Sequence, residues 1–133
     1  MEIKNEMTRE IPREEWVKFF NGFGQQHEGW RVTLQVFDRD LGAQIKAENL
    51  PLRGISADLK DNGDDVIVIN VGETSSEHVN HVIQNPTHVQ LKLDAHGAHE
   101  ALEIETASGT TTLLQFRVAA LPETVDGIVT MAA

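Results

Sequence analysis

Apolar positions in this chain follow two periods, one helical and one strand-like, and the change between them falls near residue 29. Trp16, Phe19, Phe20 and Phe23 recur at i, i+3, i+4 and i+7, the spacing that brings side chains onto one helix face. Pro12 suits a first helical position, and Glu14 and Glu15 place acids in the first turn, where the helix dipole favours them. Gly22 and Gly24 then weaken the pattern, so the helix is predicted over residues 12–25. Its aromatic stripe requires a cover, either a sheet or a partner chain.

From Gly29 the period becomes two. Trp30, Val32, Leu34 and Val36 alternate with polar residues, as do Ala43, Ile45 and Ala47, and the five residues 38–42 between the runs predict a hairpin. The doublet Asn62-Gly63 joins two further runs, 52–60 and 65–71. As a two-residue type I′ loop it predicts the pairs Leu59 with Val66, Ala57 with Val68 and Ile55 with Asn70. A third step is predicted across Asn85-Pro86, from 79–84 to Val89, Leu91 and Leu93. In the last, Ala107-Ser108-Gly109 forms a three-residue loop that sets Leu102 opposite Leu114, with Gly109 left-handed.

The expected fold class is therefore α+β: an N-terminal amphipathic helix packed on a mainly antiparallel sheet of about eight strands in four hairpins, rolled into a barrel or folded into a sandwich. One domain is expected over 1–118, with a leader at 1–11, the helix at 12–25 and the sheet at 29–118. Residues 119–133 lack a sustained period and read as a C-terminal extension, with Val125, Ile128 and Val129 able to lie on the domain. The run 66–71 is apolar on both faces, so Ile67, Ile69 and Val71 need a cover or a partner and are candidate interaction residues.

Composition narrows the classes. A chain of 133 residues and 14.8 kDa is long enough for one core without staples. With no cysteine, disulfides, thiol catalysis and thiolate metal sites are excluded. The balance of 11 Lys plus Arg against 21 Asp plus Glu, net −10, disfavours nucleic acid and anionic membrane surfaces. No apolar stretch reaches the roughly 20 residues of a membrane span, and the acidic start is unlike a signal peptide, so a cytoplasmic location is expected.

Five of the six histidines, His78, His81, His88, His96 and His99, lie within 22 residues, which raises the question of a site. On a strand, His78 and His81 face opposite sides and are no chelate. His96 and His99, in the loop before the seventh strand, could converge with Asp94 or Glu100 and are the candidate metal ligands. His81 shares the alternation of Val79 and Ile83 and points inward, where its ordinary role is a core hydrogen bond. In a barrel it would join Trp30 as a ligand-binding residue at a cavity. No serine occupies a G-x-S-x-G elbow, Glu103 and Glu105 read as a solvated strand face, and the dispersed glycines form no phosphate loop, so no catalytic residue and no cofactor are assigned.

The strings from Met7-Thr8-Arg9-Glu10-Ile11-Pro12-Arg13-Glu14-Glu15-Trp16 through Gln26-His27-Glu28-Gly29-Trp30 to Ala98-His99-Glu100-Ala101-Leu102 resemble a family of small bacterial single-domain proteins of unknown function whose members begin near Met7. The resemblance covers about residues 7–118 and implies a bacterial source and a single domain; it carries no assigned chemistry. The leading expectation is a non-enzymatic binding or protein-interaction module, with a homo-oligomer or a protein partner. A small-molecule-binding β-barrel is the alternative, and a histidine-based metal-dependent enzyme is a distant third.

Overall fold

Seventeen consecutive residues that the sequence divides into two strands form one. The computed structural model describes residues 7–60, 63–74 and 76–120. Its elements are β1 (Met7–Ile11), a single 3-10 turn (Arg13–Glu15), α1 (Trp16–Gln26), β2 (Arg31–Asp38), β3 (Gly42–Asp58), β4 (Val66–Gly72), β5 (His78–Gln84), β6 (Pro86–Leu93), β7 (His99–Thr106) and β8 (Thr111–Ala120). All neighbours pair antiparallel in the order β1-β6-β7-β8-β2-β3-β4-β5. The two ends of this order do not meet, so the sheet is open and not a closed barrel; the fold is mostly β, with one short helix. Among the described residues, no helix is long and apolar enough to cross a membrane.

The expected strand number holds, but by two compensating differences. The runs 43–48 and 52–60 merge into β3, which continues through Pro51 because register shifts between Val32 and Gln35 of β2, together with a left-handed Asn49, absorb the missing donor. The expected leader contributes an edge strand: β1 pairs with β6, with Arg9 opposite Leu91 and Ile11 opposite Val89. Ile11 is buried and its carbonyl accepts the indole N–H of Trp16 at 2.8 Å, which ties the strand to the helix start. The extension expected after 118 lies outside the described residues from 121 onward, and β8 itself runs to Ala120.

Two hairpin expectations need correction. In the β3–β4 pair Asp58, not Leu59, faces Val66, Ala57 faces Ile67 and Ile55 faces Ile69, one residue away from the predicted register. β4 is apolar on both faces, so alternation alone does not penalise a one-residue slip there. The register is held instead by Asp65, whose carboxylate accepts Arg13 Nε at 2.7 Å, Arg13 Nη2 at 2.9 Å and the Lys60 N–H at 2.9 Å. That arrangement, led by the Arg13 hydrogen bond, holds the Asp65 carboxyl below the usual range and opens the connection beyond a two-residue turn. Gly63 is left-handed as expected, at φ +90°, while Asn62 lies outside the described residues. The second correction concerns β5 and β6, which are adjacent in sequence but unpaired. Asn85, left-handed at φ 54°, turns the chain so that Pro86 pairs with Thr106 of β7.

One core is shared by the helix and the strands. Trp16, Phe20 and Phe23 of α1 share it with Val32, Leu34, Leu52, Ile55, Leu102, Ile104 and Leu114. The helix approaches β3 so closely that a Cβ at Gly24 would stand 3.2 Å from the Ile55 backbone nitrogen, and this explains one of the two helix glycines. Ile67, Ile69 and Val71 are all fully buried in this core. They offer no docking face, because the helix aromatics and the facing strands already supply the cover that the sequence requires.

Candidate functional site

The aromatic stripe of α1 ends in a residue that continues it by one further turn, His27 at the helix C-terminus, four residues after Phe23. Its ring is fully buried, 4.2 Å from that of Phe23 and stacked 4.8 Å from Phe116, with Trp30 edge-on. A buried imidazole must satisfy both nitrogens. His27 Nδ1 lies 2.8 Å from the Phe23 carbonyl, and His27 Nε2 lies 3.1 Å from His99 Nδ1.

Chemistry determines where the protons sit. The Phe23 carbonyl can only accept, so His27 Nδ1 carries the hydrogen and its Nε2 holds a lone pair. His99 Nδ1 must then donate to that lone pair, which leaves His99 Nε2 as an acceptor. That nitrogen has no partner among the described residues and is not sealed from solvent. Burial, opposed in part by the hydrogen bond to Phe23, lowers the His27 pKa from 6.5 to about 4; burial and the nearby charge of Arg9 lower that of His99. Both rings are neutral near pH 7.

His99 reaches this position through a bulge. Along β7 the pairing skips Glu100, with Lys92 opposite Ala101 but Leu93 opposite His99, and the extra residue re-aims the strand start toward the helix. His99 thereby lines a groove of about 730 Å3 between α1 and the β1–β6 edge. Phe19, Phe23 and Leu91 give it an apolar wall, and Arg9, Glu15, Lys18 and Gln26 a polar one. Gly22 lies in the same wall, and a Cβ placed there meets nothing within 4 Å.

Of the residues singled out from sequence, His81 points inward as expected, its Nε2 3.3 Å from the Thr112 hydroxyl, beside a smaller cavity of about 240 Å3 that Ser108 and Thr110 also line. Burial and the charge of Lys46 lower its pKa. Trp30 packs on His27 and Phe116 and lines neither cavity, so it and His81 do not share a site. His96 and His99 are separated in role: His96 is exposed on a turn where Asp94 Oδ1 accepts its backbone N–H at 2.8 Å, while His99 turns to His27. Among the described residues no group of three potential metal-ligating side chains gathers. The residue that sequence reasoning missed is His27, because it stands 72 positions from its partner; the signal available was its i+4 spacing from Phe23.

The buried pair makes stability depend on pH. His27 has a pKa near 6.5 unfolded and about 4 folded, so between these values the unfolded chain binds a proton that the folded chain does not. Stability is complete above about pH 6.5 and declines as pH falls toward 4; from pH 7 to 4.5 the expected loss from His27 is about 2 kcal/mol. Urea denaturation at the two pH values, compared with His27→Gln, checks this. Equal pH dependence in both proteins would contradict the burial of a neutral ring.

Comparison with known proteins adds kinship without chemistry. No solved structure matches the chain. A protein of Aquifex aeolicus (strain VF5), described as an uncharacterized protein, is 32% identical over 117 residues, covering 87% of this chain and 98% of that one. Residues 7–124 match the model of a family of unknown function, DUF5335. The chain therefore belongs to the DUF5335 family of unknown function.

Proposed function

We propose that this protein is a non-enzymatic binding module that holds a small molecule in the groove beneath α1. The carrying observation is the oriented histidine: a buried ring, His27, sets the tautomer of His99, a residue that lines the groove, and leaves its Nε2 unpartnered among the described residues and open to solvent. Small-molecule sites typically combine an apolar wall with a few fixed polar groups, and this groove has Phe19, Phe23 and Leu91 beside His99. Gly22 supports the same reading. A mid-helix glycine costs about 1 kcal/mol relative to a good helix former, and no protein neighbour needs the space that this one leaves.

Gly22→Leu separates folding from binding. The variant is expected to be more stable than the native protein by up to about 1 kcal/mol, since leucine favours the helix, while its side chain fills the groove. Saturation-transfer NMR with a fragment library should yield hits on the native protein that Gly22→Leu loses. Hits that persist unchanged in the variant would place binding elsewhere and end this reading.

A second reading, interaction through a sheet edge, is supported by the outer sides of β1 and β5, which pair with no strand among the described residues and where Met7 and Val82 are exposed. Sedimentation over a range of concentrations tests it; a monomer throughout would remove self-association.

A further inference from the structure

We infer that the ligand of the groove is an amphipathic monocarboxylic acid carrying a hydrogen-bond donor next to its carboxylate, an inference that rests on the groove being a binding site. The first observation is where unpaired cations remain. Acids outnumber bases 21 to 11 in this chain, and Arg13, Arg31, Lys60 and Lys92 are each paired to a carboxylate. Arg53 is bound by the carbonyls of Gly72 and Glu73. Among the described residues Arg9, Lys18, Arg39 and Lys46 make no ion pair, and two of these four, Arg9 and Lys18, line the same groove. Arg9 also shares a register position with Leu91 and a strand face with buried Ile11, so it stands on the side of β1 that carries the core.

The second observation is the sign of the hydrogen-bonding site beside them. Because His99 Nδ1 is committed to His27, its Nε2 can only accept, and a ligand atom meeting it must donate. A carboxylate alone would place lone pair against lone pair there. A hydroxyl or amine N–H adjacent to a carboxylate satisfies both demands, with the guanidinium of Arg9 taking the two oxygens as a fork. Glu15 in the same wall limits the net local charge and favours one negative charge over two. Phe19 and Phe23, whose rings stack 5.3 Å apart, give an apolar or aromatic body a surface.

The test uses three probes of matched size: 3-phenyllactate, 3-phenylpropionate without the hydroxyl, and 3-phenyl-1,2-propanediol without the carboxylate. Titration calorimetry with the full chain should rank phenyllactate about tenfold tighter than each of the others, since one well-placed hydrogen bond or charge contact corresponds to roughly that factor. Arg9→Gln should weaken phenyllactate about tenfold and leave the diol unchanged. In long-range 1H–15N spectra of 15N-labelled protein, saturation with phenyllactate should shift His99 Nε2 as an acceptor while His27 Nδ1 stays protonated. Equal affinity for all three probes, or no effect of Arg9→Gln, with Gly22→Leu still blocking, would overturn the ligand class and leave the groove. No binding of any probe, while other fragments remain sensitive to Gly22→Leu, would overturn it as well. Probe binding that survives Gly22→Leu would bring down the groove reading itself.

Discussion

Gly72→Ala is expected to destabilise the fold by about 4 kcal/mol, enough to leave much of a marginally stable domain unfolded. Gly72 ends β4 at φ +151°, a backbone conformation that residues with a Cβ rarely adopt, and it pairs with His78 at the start of β5. A methyl group there would stand 2.3 Å from the Glu77 carbonyl oxygen and 2.7 Å from the His78 Cα. Both obstacles are backbone, so relief requires the β4–β5 turn to open. Opening it also disturbs the Gly72 carbonyl, which accepts Arg53 Nε at 2.8 Å. Strain at the backbone and overpacking of one methyl each contribute about 1–3 kcal/mol. Urea denaturation with an amide spectrum checks the result; a native midpoint would mean that the turn is not closed so tightly.

Phe20→Ala is expected to cost about 3–4 kcal/mol through the cavity it leaves between helix and sheet. Phe20 is fully buried in the core that holds Ile67, Ile69 and Val71, and its ring meets Phe19 edge-on at 5.3 Å. Val17, one turn of the helix away and 43% exposed, serves as the comparison: Val17→Ala should change the midpoint by less than about 0.5 kcal/mol. If both variants denature with the native midpoint, the aromatic stripe does not hold the helix to the sheet. A cost for Phe20→Ala well below about 3 kcal/mol but above that of Val17→Ala would mean that the neighbouring rings collapse into the space it vacates.

Much of the fold is legible in local pattern. The aromatic spacing from Trp16 to Phe23 gives the buried residues of α1, and the alternation of Val32, Leu34 and Val36 gives the inward face of β2. Leu102 faces Leu114 across a loop with Gly109 left-handed, and His81 turns inward, because strand periodicity specifies a side chain's face whatever its partner strand. The β3–β4 register was not legible, since β4 is apolar on both faces and the deciding contact is Arg13 to Asp65, 52 residues apart. Nor was the separation of β5 from β6, because Asn85-Pro86 reads equally as a hairpin turn or as a corner between distant strands.

The candidate site divides along the same line. Composition and periodicity by themselves determined that no thiol was present, that the aromatic face of one helix would be buried, and which face of β2 and of β5 points inward. Only the tertiary structure decided that His27 meets His99, that a bulge at Glu100 aims the latter at the groove, and that Gly22 faces open space whereas Gly24 faces the Ile55 backbone. The physical reason is range. Periodicity acts through a residue's immediate neighbours, whereas the tautomer of His99 depends on a lone pair from a residue 72 positions away, and that approach exists only after the helix has packed against the sheet.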